Sequence, residues 1–184
     1  MVQKLYKLGI LVGRFQTVHL GHEDMVNKAI ALCDKVGIFV GSSQESGTYK
    51  NPFTFETRKE MLLRVFGDKV TVCPLPDIGV GNNSKWGDYV LKNVSEQFGT
   101  LPDLLVSGKE SRRVDWFDSI DGRSISELYI PKSIDISASD MREWFVNDDF
   151  LQWKAYTNPV LWDMYDQLRK TVLLSKDNPN TDSM

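Results

Sequence analysis

Two hydrophobic rhythms alternate along this chain. Leu5 to Val12 is a short apolar run of the kind that forms a buried strand, and the segment behind it repeats Met25, Val26, Ala29, Ile30 and Cys33 at helical spacing. Val36 to Val40 is a second apolar run. Thr54 then offers an N-cap hydroxyl to a helix burying Met61, Leu62, Val65 and Phe66. Gly67 ends that helix, and Lys69 to Cys73 supplies a third strand. Ser84 reads as the N-cap of a helix carrying Trp86, Tyr89, Val90, Val94 and Phe98, closed by Gly99. Asp103 to Val106 follows as a fourth strand and Ser126 to Ile130 as a fifth. Alternation at this pace predicts an α/β fold, a Rossmann-like parallel sheet of about five strands with helices on both faces. Ligands of such sheets lie beyond the carboxyl ends of the strands.

From Ser139 onward the pattern turns helical and aromatic, with Trp144, Phe145, Phe150, Trp153, Trp162 and Tyr165. These predict a C-terminal helical segment packed on the sheet or on a sister subunit. Ser175 to Met184 is polar and reads as a disordered tail, leaving residues 1–174 as one domain. A chain of 184 residues, 41% hydrophobic, suits one sizeable core and leaves no room for a second. The formal net charge of -3 argues against a broad nucleic-acid-binding face, so affinity for phosphate must come from locally placed Arg and Lys. Cys33 and Cys73 lie in apolar stretches without metal-type spacing, the pattern of buried thiols in a reducing compartment. With no signal-peptide core and no apolar run of bilayer length, no membrane association and a cytoplasmic location are expected.

The chemistry-bearing residues cluster at two places. His19 and His22, the whole histidine content, end the block Gly13-Arg14-Phe15-Gln16-Thr17-Val18-His19-Leu20-Gly21-His22 after the first strand. A strand, a Gly-led loop and a helix start form a phosphate trap, because free N–H groups and the positive helix end face a bound anion. Gly21 permits close approach of that anion, and imidazole donors can stabilise charge developing on phosphorus. Far downstream, Ser137-Ala138-Ser139-Asp140-Met141-Arg142 opens a helix after the fifth strand. Its hydroxyls and N–H groups suit a phosphate, although a capped helix with a surface arginine would look the same.

Taken together the two blocks resemble the paired signatures of the nucleotidylyltransferase superfamily, and the Gly-Arg-Phe-Gln lead-in resembles its archaeal-type nicotinamide mononucleotide (NMN) adenylyltransferases. The resemblance extends from Leu8 to about Trp153. It implies an enzyme that joins NMN to ATP, releasing NAD and pyrophosphate, with His19, His22 and Arg142 as the catalytic residues. ATP would be held by Gly13, Arg14, Phe15, Gly21, His22, Gly108, Ser137, Ser139 and Arg142. Lys50, in the loop leading to Asn51-Pro52-Phe53-Thr54, falls where relatives carry a base for the mononucleotide phosphate; a solvated loop charge is its plain alternative. Gly47 and Thr17 stand where relatives often have His and Pro.

Substrate choice would rest on Pro76 to Trp86. In the resembling family an Asn and a Trp hold the nicotinamide ring, which here are Asn83 and Trp86, with Ile78 beside them and Arg14 on the phosphate. An indole can stack on an electron-poor pyridinium and an amide can pair with a carboxamide. An aromatic at helical spacing is otherwise core. Ser107-Gly108 resembles the turn that admits adenine and ribose. Lys109, which stands where relatives usually carry Asn, adds positive charge there with Arg112 and Arg113, and the two arginines read equally as solvated helix charges. No carboxylate cluster points to a protein-held metal, so Mg²⁺ is expected to arrive on ATP. The resemblance also implies a homo-oligomer. Competing readings are a nucleotidylyltransferase for another acceptor (phosphopantetheine, flavin mononucleotide or a CTP-dependent one) and a non-catalytic module that senses NAD or ATP.

Overall fold

The computed structural model describes residues 3–118 and 124–178. Five strands, β1 (Tyr6–Gly13), β2 (Cys33–Gly41), β3 (Thr71–Leu75), β4 (Leu104–Ser107) and β5 (Ser126–Tyr129), form one sheet in the order β3-β2-β1-β4-β5. All four pairings are parallel, so every connection is a crossover and the strands end on the same edge. Pro74 lacks an N–H, and it is accommodated because β3 is an edge strand. The helices are α1 (Leu20–Leu32), α2 (Phe55–Phe66), α3 (Ser84–Phe98), α4 (Arg112–Trp116), α5 (Ala138–Val146), α6 (Phe150–Ala155) and α7 (Tyr165–Lys176).

Alternate strand residues feed two cores. Leu11, Ile38, Val40, Leu104 and Val106 pack with Val26 and Ala29 of α1, Met61 and Leu62 of α2, and the aromatic group Phe145, Trp153 and Tyr165. Leu8, Ile10, Phe39 and Leu105 face the other way, onto Trp86, Val90 and Val94 of α3 and Trp116 of α4. The sheet therefore has helices on both faces, and the C-terminal aromatics pack within the chain. On the α3 side the backbones nearly touch: a Cβ on Gly87 would lie 1.9 Å from the Trp116 carbonyl oxygen.

Several boundaries differ from the expected ones. Cys33, expected on the buried face of the first helix, opens β2, because α1 runs into the strand with no intervening loop. The third strand begins at Thr71, two residues late, since Gly67–Lys69 continues α2 as a 3₁₀ turn. Asn83 rather than Ser84 is the N-cap of α3; its Oδ1 accepts from the N–H groups of Lys85 (3.0 Å) and Trp86 (3.3 Å). Thr54 caps α2, and Gly67 and Gly99 end their helices with positive φ of 59° and 70°. The polar tail begins later than Ser175: that residue is buried in α7, its hydroxyl bonded to the Thr171 carbonyl at 2.8 Å, while 179–184 lies outside the described residues.

Candidate functional site

The β1–α1 turn forms around its own histidines. His19 is the N-cap of α1, its Nδ1 accepting from the Gly21 N–H at 3.1 Å, and His22 Nδ1 accepts from the His19 N–H at 3.3 Å. This is a capping box made of two imidazoles. With both Nδ1 atoms accepting, the neutral rings carry their protons on Nε2, so each presents a donor away from the backbone. The rings stack at 3.8 Å, and Phe15 packs on His22 at 4.8 Å. Burial is the main cause that lowers both titrations. His19 falls to about 4, aided by Lys132 and opposed by Asp140, and His22 falls well below the usual histidine range, aided by His19. Both are neutral donors at neutral pH. A Cβ at position 21 would stand 3.0 Å from the His19 ring, which is the local reason for Gly21.

These rings face a cleft of about 820 Å³ at the strand carboxyl ends. Gly13, Arg14, Phe15, Gly21, Gly108, Ser137, Ser139, Arg142 and Trp86 line it as well. Arg142 crosses from α5 to the β1 loop: Nη2 donates to Ser139 Oγ (3.1 Å), Nη1 to the Gln16 carbonyl (3.4 Å), and the guanidinium lies 5.5 Å from the Tyr49 ring centre. Its buried Nε has no partner among the described residues. Ser137 spends its hydroxyl on the α5 cap, donating to Asp140 Oδ2 and accepting from the Asp140 N–H. Arg14 extends to Asn51 Oδ1 at 3.2 Å, tying the β1 loop to the loop after β2. Gln16 brackets Phe53 with two bonds, accepting its N–H (3.0 Å) and donating to its carbonyl (3.2 Å).

The cleft wall also includes Trp86 and Trp116, from the core on the α3 and α4 side of the sheet, with Asp77, Val80, Gly81 and Asn82. Trp86 is only 9% exposed, so it is both core and wall. Lys50, Ile78 and Asn83 do not line the cleft: all three are exposed, and Asn83 has its carbonyl committed to the helix cap. At the β4 turn the Ser107 hydroxyl is bonded to the backbone of Lys109, and Lys109 and Arg112 line the cleft. Arg113 does not; its N–H bonds Glu127. Sequence reading missed Lys132, a lysine in the loop after β5, and Gln16, whose position inside the Gly-Arg-Phe-Gln block was its only signal. Among the described residues no three His, Cys, Asp or Glu side chains gather in a way that could hold a metal ion. No helix of the described residues is long and apolar enough to cross a membrane.

Comparison with known proteins agrees with this geometry. Residues 10–143 match the cytidylyltransferase-like family model, a span that includes both signature blocks. A nicotinamide-nucleotide adenylyltransferase of Thermococcus kodakarensis is 41% identical over 96 residues, 49% of this chain and 50% of that one. The enzyme of the same name from Saccharolobus solfataricus is 40% identical over 88 residues, 45% of this chain and 50% of its own. The chain thus matches about half the length of these curated relatives. In fold it is similar to a bifunctional NMN adenylyltransferase/ADP ribose pyrophosphatase of Francisella tularensis, with a TM-score of 0.77 and 24% identity over 94% of this chain and 53% of that one. With both signature blocks on one cleft and the family model spanning them, this chain belongs to the cytidylyltransferase-like family.

Proposed function

We propose that this chain is an adenylyltransferase that joins NMN and ATP to give NAD and pyrophosphate. The observation that carries the reading is a single cleft lined by two neutral Nε2–H imidazoles, a buried guanidinium and a helix-borne indole. A phosphate oxygen of the mononucleotide attacks the α-phosphorus of ATP, the bond to the bridging oxygen breaks, and pyrophosphate leaves with that electron pair. No protein nucleophile is needed, so catalysis is positioning and charge stabilisation. His19 and His22 donate through Nε2 to the α-phosphate, and Arg142 takes charge developing on the departing phosphates. Gly13, Phe15, Gly21, Gly108, Ser137 and Ser139 shape the nucleotide end.

At the acceptor end Arg14 is the cation that meets the mononucleotide phosphate, since Lys50 lies outside the cleft lining. Trp86 supplies the flat face for the pyridine ring. Mg²⁺ enters bound to ATP and keeps several waters, consistent with the scattered carboxylates of the cleft. The experiment is pyrophosphate release from ATP–Mg²⁺ with NMN, nicotinate mononucleotide, phosphopantetheine and flavin mononucleotide in parallel. Turnover is expected with the pyridine mononucleotides. Release with another acceptor alone changes the substrate, and no release with any acceptor leaves a nucleotide-binding module.

A further inference from the structure

Arg58 projects from the first turn of α2 and is completely buried, yet among the described residues no carboxylate is within ion-pair distance of it. Its donors go to five backbone carbonyls: Nε to Thr54 (3.2 Å), Nη1 to Arg14 (3.0 Å) and Gly41 (2.9 Å), Nη2 to Ser42 (3.0 Å) and Glu45 (3.4 Å). Those carbonyls belong to two separate chain segments. Arg14 is in the phosphate turn after β1, whereas Gly41, Ser42, Glu45 and Thr54 run along the loop from β2 to α2. A guanidinium has five N–H donors in a planar fork, a set that an ammonium cannot reproduce. Burying a cation without a counter-ion is costly, and an apolar side chain would fill the same space more cheaply. Burial and then the nearby Arg14 push its titration down to about 10 against the weaker pull of Glu56 and Asp77, which still leaves it charged at neutral pH.

We propose that Arg58 is a positioning residue that straps the acceptor loop 41–54 to the phosphate turn 13–19 and thereby sets the approach of one substrate to the other. This rests on the adenylyl-transfer reading above, because in-line attack needs the two reacting atoms about 3–3.5 Å apart, in a cleft that Gly13 to Gln16 of one segment and Gly41 and Ser42 of the other both line. Arg14 is held at both ends by the strap: its carbonyl is taken by Arg58 and its guanidinium reaches Asn51. Arg58 itself does not line the cleft, so it acts through the loops and not on the substrates.

The test is Arg58→Lys and Arg58→Gln in the full chain, read in three ways. Steady-state kinetics should show KM for the mononucleotide up and kcat down, each by about tenfold or more, while calorimetry gives an affinity for ATP–Mg²⁺ within about threefold of wild type. Amide exchange in the free protein should quicken in both 13–19 and 41–54 together. In Arg58→Ala, added methylguanidinium should restore kcat. The assignment is overturned if Arg58→Lys behaves as wild type, if kcat falls only with the folded fraction while both KM values stay put, or if no variant folds. Should wild type release no pyrophosphate with any mononucleotide while exchange still quickens in both loops, the strap stands and the adenylyl-transfer reading fails.

Discussion

The two parts of the cleft wall, one around the histidines and one around Trp86, are built differently. At the phosphate end the side-chain hydrogen bonds of the histidine pair are closed within three residues, so the turn from Gly13 to His22 carries much of its own geometry, and Arg58, Gln16 and Arg142 then fasten it to distant segments. At the ring end Trp86 is anchored in the core, but its neighbours Gly81, Asn82 and Asn83 are exposed loop, and Ile78 is exposed outside the lining. Preorganised donors accelerate a reaction only if they need not move, whereas a stacking wall can select a ring while the loop beside it adjusts. The self-capped turn suits chemistry, and the exposed loop beside Trp86 suits recognition.

The comparison is broken most directly at the self-capped turn. His22→Ala removes a preorganised donor and should lower kcat by about 10²–10³-fold with KM for the mononucleotide changing far less. Turnover near wild type would take His22 out of the mechanism. Next is the acid sensitivity of the same turn. Because folding lowers His19 from 6.5 to about 4, the unfolded chain binds a proton that the folded chain refuses between those values. The stability involved is intact above pH 6.5 and drains as pH falls toward about 4, amounting to about 3 kcal/mol at most. Thermal melts of wild type and His19→Asn across that window measure it: Asn keeps a cap without titrating, so its curve should be flatter, and parallel curves would remove the burial argument.

Trp86→Ala tests the ring end. Base–aromatic stacking is worth ~1–3 kcal/mol, so KM for the mononucleotide should rise about ten- to a hundredfold while that for ATP moves little, and the melting temperature should fall because the indole is also core. A lower melting temperature with both KM values unchanged would make the residue core alone. The smallest effect belongs to Asn83. Losing the α3 cap in Asn83→Ala should cost about 1 kcal/mol in denaturant unfolding, and Asn83→Asp should restore it with kinetics unaltered. A large rise in the mononucleotide KM for Asn83→Asp would return Asn83 to substrate reading through its Nδ2 donors.

What the sequence made legible follows the same division. The strand–helix alternation, the cap at Thr54, the helix opening after β5, the terminating glycines and the histidine block are short-range features, each decided by residues within a turn of one another. The junction at Cys33 escaped because helix and strand abut without a turn residue to mark the change. Asn83 and Ser84 are adjacent good caps, and nothing local chooses between them. The bond from Arg58 to the Arg14 carbonyl and the bracket between Gln16 and Phe53 join positions 44 and 37 apart, brought near only once β1 and β2 pair. Lys50 and Ile78 followed from resemblance, and the direction a loop side chain takes is set by its tertiary surroundings.

Gly87 has a bearing on how variation among relatives of this chain should be understood. It follows Trp86 directly, and a survey of related sequences that found only glycine there would invite the inference of a ligand contact. The cause lies behind the site: α3 and α4 meet backbone to backbone, and even alanine would drive its methyl into the Trp116 carbonyl. Since α4 carries Arg112 and Trp116 into the cleft wall, the width of that wall is set by a missing side chain. Selection at position 87 would therefore record the spacing of two helices, and lineages could exchange one substrate for another while leaving it untouched.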